Sequence, residues 1–153
     1  MQFNIVLVNP QIPPNTGNVA RLCAATKSVL HLIKPLGFEI NDTKMKRAGL
    51  DYWDILNVQI HESIDEFISK YDNSKFIFLS SKVEKTYWQH DFKDGDFLIF
   101  GSETTGLPEY IMDKFKNQML TIPQYEDHVR CLNLSNSVSI VLYEAIRQIK
   151  LFS

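Results

Sequence analysis

Residues Phe3 to Val8 form an apolar run, with β-branched members, broken only by Asn4. A strand with one wet face alternates apolar and polar residues, whereas a run with apolar residues at both parities fits a strand buried on both faces of a parallel sheet. A chain that begins this way must supply helices to cover both sides, and it does. Val29 to Ile33, Asp54 to Ile60, Lys75 to Leu79, Phe97 to Phe100 and Met119 to Ile122 read as further strands, separated mostly by helical patterns. Strand followed by helix, repeated, predicts an α/β fold with a mostly parallel sheet and helices on both faces. The 153 residues, 44% of them hydrophobic, suit one domain spanning 1–153.

The expected helices carry their own signals. One starts near Val19 with Asn15 or Thr16 as cap, and its apolar stripe of Val19, Leu22, Cys23 and Ala25 leaves Arg21 outside. A short basic helix over 41–48 holds Lys44, Lys46 and Arg47 and stops at Gly49. Ser63 and Glu66 have the spacing of a capping box opening a helix to about Lys70, and Pro108 suits the first turn of a helix to about Phe115. Ser135 or Asn136 caps a last helix whose Val138, Val141, Leu142, Ala145 and Ile149 recur at helical spacing. The polar segment from Lys82 to Asp94, with Tyr87 and Trp88, reads as a lid or covering loop.

Three polar loops follow strand ends, where open α/β sheets bind ligands: Asn9 to Asn18, Gly101 to Pro108, and Gln124 to Ser137. The Gly101 to Gly106 spacing is that of a phosphate loop, but Leu107 and Pro108 replace the Lys and Ser/Thr that would follow. No Gly-x-Gly-x-x-Gly follows the first strand, which argues against a dinucleotide-binding Rossmann domain. His31, His61, His90 and His128 have no metal-ligand spacing, and Cys23 and Cys131 read as reduced thiols, so no metal is expected. No apolar run nears the roughly 18 residues of a membrane span, and the start MQFNIVLVNP has no signal-peptide form. A cytoplasmic protein without membrane attachment is the expectation. The net charge of −2 hides an asymmetry, because residues 1–50 carry +4 and the remainder −6. That permits a local phosphate-binding face on an acidic body.

Taken together, Asn15-Thr16-Gly17-Asn18-Val19-Ala20-Arg21, Phe100 to Pro108, and Ile122-Pro123 with Leu132-Asn133-Leu134-Ser135-Asn136-Ser137 resemble the three motifs of the SpoU/TrmH class of SPOUT RNA methyltransferases. The likeness extends through Arg21-Leu22-Cys23-Ala24, His31-Leu32-Ile33 with Pro35 to Phe38, and Gly49-Leu50-Asp51-Tyr52, and it is strongest to the small single-domain type. The resemblance implies transfer of methyl from S-adenosylmethionine to the ribose 2′-OH of the wobble nucleotide of tRNA, position 34, C or U, in leucine isoacceptors. It also implies a deep C-terminal trefoil knot, the SPOUT fold, and an active site completed across a homodimer. The alternatives are an rRNA ribose methyltransferase and a catalytically idle RNA-binding protein of the same fold.

By the same likeness the catalytic set is Arg21, Asn15, Glu103 and Asn133. The cofactor lies against Leu79, Gly101, Ile122, Cys131 and Leu132, with glycine admitting its backbone approach and apolar side chains flanking adenine. Lys27, Lys46 and Arg47 are candidates for RNA phosphate contacts. Because arginine is almost never deprotonated, Arg21 orients the hydroxyl and its phosphate or works with a phosphate as base. The chain departs from the family's pattern at Ser102, Thr105 and Cys131.

Overall fold

The computed structural model describes residues 1–41, 43, 47 and 50–152. In chain order it comprises β1 (Asn4–Val8), α1 (Pro13–Thr26), β2 (Val29–Ile33), β3 (Val58–His61), α2 (Ile64–Lys70), β4 (Phe76–Leu79), β5 (Phe97–Phe100), α3 (Glu109–Lys114), β6 (Met119–Leu120) and α4 (Leu134–Phe152). The six strands form one sheet in the order β3-β2-β1-β5-β4-β6, and every neighbouring pair is parallel. The α/β expectation therefore holds. Among the described residues no helix is long and apolar enough to cross a membrane.

The largely apolar runs work as parallel-sheet chemistry requires, because alternate residues go to opposite faces and both faces are covered. On one face Ile5, Leu7, Leu30, Leu32, Ile77, Leu79, Leu98 and Phe100 pack with Val19, Ala20 and Cys23 of α1 and Val138, Val141, Leu142 and Ala145 of α4. On the other, Val6, Val8, Phe76, Phe78, Phe97 and Ile99 pack with Phe67 and Ile68 of α2 and Ile111 of α3. Burial of each such side chain stabilises the fold by about 1.5–3 kcal/mol.

The second face also holds a buried histidine pair. The Asn4 side-chain amide N–H donates to the Gly95 carbonyl (3.2 Å), which leaves Asn4 Oδ1 to accept from His31 Nε2 (3.0 Å). His31 Nδ1 then accepts from His61 Nε2 (3.1 Å), and His61 Nδ1 is buried without a partner among the described residues. Phe67, Tyr71 and Phe97 surround the two rings. Burial, then the neighbouring His61, lowers the His31 pKa to about 3, and burial is the leading cause of a lowered value at His61.

Several boundaries differ from expectation for local reasons. Helix α1 begins at Pro13 rather than near Val19, with Pro at its first positions, where a missing N–H costs nothing. The third strand is Val58–His61, and Leu50–Ile55 is a 3-10 turn. Trp53 and Leu56, three residues apart, both pack against the α1 side of the core, a spacing a strand cannot put on one face. The Ser63 cap is as expected, its hydroxyl accepting from the Glu66 N–H at 3.1 Å. The basic helix over 41–48 falls largely outside the described residues, and with it Lys44, Lys46 and Gly49; Thr43 and Arg47 are helical.

Strand β6 is flanked on both sides. The Ser80 N–H donates to the Leu120 carbonyl beside β4. Past the strand's end Thr121 donates to the Lys85 carbonyl and accepts from the Tyr87 N–H. The covering segment is thus a strap pinned to the sheet edge, and Gln148 of α4 fixes its far end by accepting from the Phe92 N–H and donating to the His90 carbonyl.

Candidate active site

The carboxyl ends of β1, β5, β4 and β6 lie side by side in the sheet, so the loops after β1, β5 and β6 converge. Glu103, in the loop after β5, reaches the start of α1. Its Oε1 accepts from the Gln11 N–H (2.9 Å) and its Oε2 from the Ile12 N–H (2.8 Å) and the Asn15 amide (3.2 Å). This places a carboxylate where the free N–H groups and dipole of a helix favour negative charge. Asn15 Oδ1 in turn accepts from Asn133 Nδ2 at 3.0 Å, across 118 residues of sequence. Asn133 Oδ1 caps α4, accepting from the backbone of Ser135 (2.9 Å) and Asn136 (3.3 Å) and from the Ser135 hydroxyl (2.6 Å). The expected cap at Ser135 or Asn136 is therefore corrected to Asn133.

One hydrogen-bonded chain, Glu103 to Asn15 to Asn133, thus ties three loops and two helix starts together. Asn15 sits at its centre, 6% exposed, with its amide oxygen and nitrogen both engaged. This corrects the expectation that Asn15 or Thr16 caps α1, since Asn15 serves a tertiary contact instead. Thr16 beside it is fully buried, with a hydroxyl that has no partner among the described residues. Gln11 and Ile12 enter the site through backbone N–H groups, which side-chain patterning cannot announce.

Arg21 is exposed, as its place off the apolar stripe predicts. Six residues beyond Asn15, it stands about 9 Å along the helix axis and about 120° around it. Lys27 is exposed at the C-cap of α1, about 18 Å from Asn15 along the axis, at the opposite end of the helix. Arg47 is exposed, and Lys46 lies outside the described residues.

The loop after β5 closes on itself rather than around an anion. Ser102 and Gly106 exchange backbone hydrogen bonds, and the Ser102 hydroxyl bonds both the Thr105 hydroxyl (2.8 Å) and the Thr105 N–H (3.0 Å). The N–H groups of Ser102, Thr105 and Gly106 are consumed internally, which explains physically why this glycine spacing is no phosphate loop. A Cβ at Gly101 would lie 2.7 Å from the Gly106 Cα and closer still to Gly106 C and Leu107 N. The turn therefore requires glycine there whatever else approaches it, and Gly106, at φ +69°, sits in the left-handed region.

Three of the expected cofactor residues, Leu79, Gly101 and Ile122, lie at or just past the carboxyl ends of neighbouring strands. Leu79 pairs in register with Phe100, just before Gly101, and with Leu120, two residues before Ile122. Leu79 is buried, Ile122 and Leu132 are half-buried, and Cys131 is an exposed free thiol. Residues 122–133 cross this corner without helix or strand. Apolar side chains flanking a loop with exposed backbone suit a ligand that is part adenine and part polar chain.

Comparison with known proteins bears on what this arrangement does. The SpoU rRNA methylase family profile matches residues 2–143. A tRNA (cytidine(34)-2'-O)-methyltransferase of Burkholderia cenocepacia is 46% identical over 149 residues, covering 95% of both chains. A structure described as giving insights into the 2-OH methylation of C/U34 on tRNA superposes with a TM-score of 0.90 at 40% identity, covering 97% of each chain. A SpoU methyltransferase of Streptomyces viridochromogenes, solved with the cofactor AdoMet, shares the fold at a TM-score of 0.84 and 21% identity, over 95% of this chain and 57% of that one.

Proposed function

The chain belongs to the SpoU rRNA methylase family, and on that premise we propose that it transfers the methyl group of S-adenosylmethionine to the ribose 2′-oxygen of the wobble nucleotide, C or U at position 34, of tRNA. The observation that carries this reading is the end-to-end likeness to a relative bearing that activity's name. The family's description names rRNA, which keeps rRNA as the second reading. Leucine isoacceptors as substrates, and the cytoplasm as the place of work, follow from the resemblance.

Bound S-adenosylmethionine supplies an electrophilic methyl on a sulfonium. The chain's task is to hold the 2′-hydroxyl in line with that methyl and help its proton leave. Leu79, Ile122 and Leu132 would flank the adenine, with backbone around Gly101 and Cys131 gripping the polar atoms. Asn15, Glu103 and Asn133, whose hydrogen bonds are engaged with one another, would act by fixing the α1 start against the α4 start. Arg21, exposed and cationic, would meet the target nucleotide and orient its hydroxyl and phosphate.

Two further readings have structural support. The strap's bonds on the outer side of β6 require residues 80–84 to pass around the end of that strand, an arrangement that supports a knotted C-terminal segment. The exposed Ile140, Tyr143 and Leu151 fall on one stripe of α4 and support a homodimer through that helix.

The test is transfer of labelled methyl to tRNA lacking the modification, followed by mapping of the label. Label on a 2′-O-ribose at position 34 is expected; label on rRNA alone overturns the substrate. Arg21→Ala should cut transfer at least a hundredfold while cofactor affinity stays within a few-fold, and a matching loss of affinity would make Arg21 structural.

A further inference from the structure

Tyr125 is 88% exposed and Trp88 is 56% exposed, a large apolar display at one corner of the molecule. Both belong to segments meeting at the end of β6. Trp88 follows Tyr87, whose N–H bonds the Thr121 carbonyl, and Tyr125 lies four residues beyond Thr121. This is also the corner where Leu79 ends β4 and Ile122 follows β6 by two residues. The other exposed aromatics among the described residues are placed differently, Tyr110 bonding Asp65 of α2 and Tyr143 lying on the stripe of α4.

The backbones beneath the two rings are fixed. Thr86 and Gln89 bracket Trp88 in a capping box, and Glu126 closes the turn after Tyr125 by accepting from the His128 N–H at 3.0 Å. Rings displayed on anchored backbone lose little freedom on binding a flat partner. Exposed Lys82 and Lys85 stand on the same strap, with exposed Glu84 between them and Glu126 and Asp127 following Tyr125. Aromatic rings interleaved with cations are the chemistry that receives unstacked bases and their phosphates in single-stranded RNA.

We propose that Trp88 and Tyr125 form a stacking surface for bases adjoining the target nucleotide in the tRNA anticodon loop, with Lys82 and Lys85 contacting its phosphates. This rests on the reading of the protein as a wobble-position methyltransferase. It adds the surface that delivers an unpaired loop to the cofactor corner.

The experiment measures binding of an unmodified anticodon stem-loop RNA by fluorescence and, separately, methyl transfer to tRNA. Trp88→Ala and Tyr125→Ala should each weaken RNA binding about tenfold and raise KM for tRNA to match, leaving kcat, cofactor affinity and oligomeric state unchanged. Trp88→Phe should keep RNA affinity within a few-fold while removing most RNA-induced quenching, since Trp53 is the other tryptophan. Unchanged RNA affinity in both alanine variants would overturn the surface while leaving the function intact. A loss of cofactor affinity would reassign the rings to the cofactor, and a loss of dimer to subunit contact. Wild-type protein that neither binds the stem-loop nor methylates tRNA would overturn the function itself.

Discussion

The two faces of the sheet are both covered and differently made. Toward α1 and α4 the strands offer mainly aliphatic side chains, with Asn15 in the first turn of α1 and Asn133 just before α4. Toward α2 and α3 they offer a lattice of rings, with Phe67 stacked on Phe76 at 5.2 Å, Phe78 on Phe115 at 4.8 Å, and the two histidines among them. On the proposed site assignment the aliphatic side positions the chemistry, while the aromatic side makes a stiff plate behind it. Damage to the plate should cost stability and leave the site's affinities intact.

The largest effect should come from Phe67→Ala, which removes the ring touching His31, His61, Tyr71, Phe76 and Phe97. Denaturant unfolding should show a loss of about 3–5 kcal/mol, with cofactor affinity of the folded fraction unchanged. A parallel drop in affinity would break the division between faces.

Acid should act next, and through the same plate. His31 and His61 are neutral when folded, while an unfolded histidine takes a proton near its ordinary 6.5, so the unfolded state binds more protons as pH falls. The stability they contribute is whole above 6.5 and is lost as pH falls toward the folded value of about 3 at His31, by up to about 1.4 kcal/mol per pH unit for His31, with His61 acting in the same direction. Unfolding curves at pH 7, 6 and 5 should show the slope, and His31→Phe should flatten it. An unchanged slope in that variant would place the acid sensitivity elsewhere.

The smallest stability effect belongs to the catalytic side. Asn133→Ala removes one helix cap, about 1 kcal/mol, but also frees Asn15 from α4. Methyl transfer should fall far more than stability does, and a proportionate fall would reduce Asn133 to a cap.

Legibility from sequence followed the same split. The strands could be read because Phe3 to Val8, Val29 to Ile33 and Phe97 to Phe100 announce burial without reference to anything distant. The 3-10 turn at Leu50–Ile55 was missed because Trp53 and Leu56 take their positions from α1, not from local preference. At the site, residue types gave only an excess of small polar side chains near helix starts, and the motif likeness singled out Asn15, Glu103 and Asn133. Neither could give Glu103 bonded to two backbone N–H groups 91 and 92 residues away. Ser102 and Thr105, departures from the family's pattern, bond one another and help close the loop.

The bond between Asn15 and Asn133 also sets a time of maturity. Asn15 leaves the ribosome early, and its partner emerges only after 118 further residues have been translated. Until then the start of α1 lacks its tie to α4, so on the proposed assignment a nascent chain is catalytically silent. On the proposed assignment, competence arrives only with the start of α4.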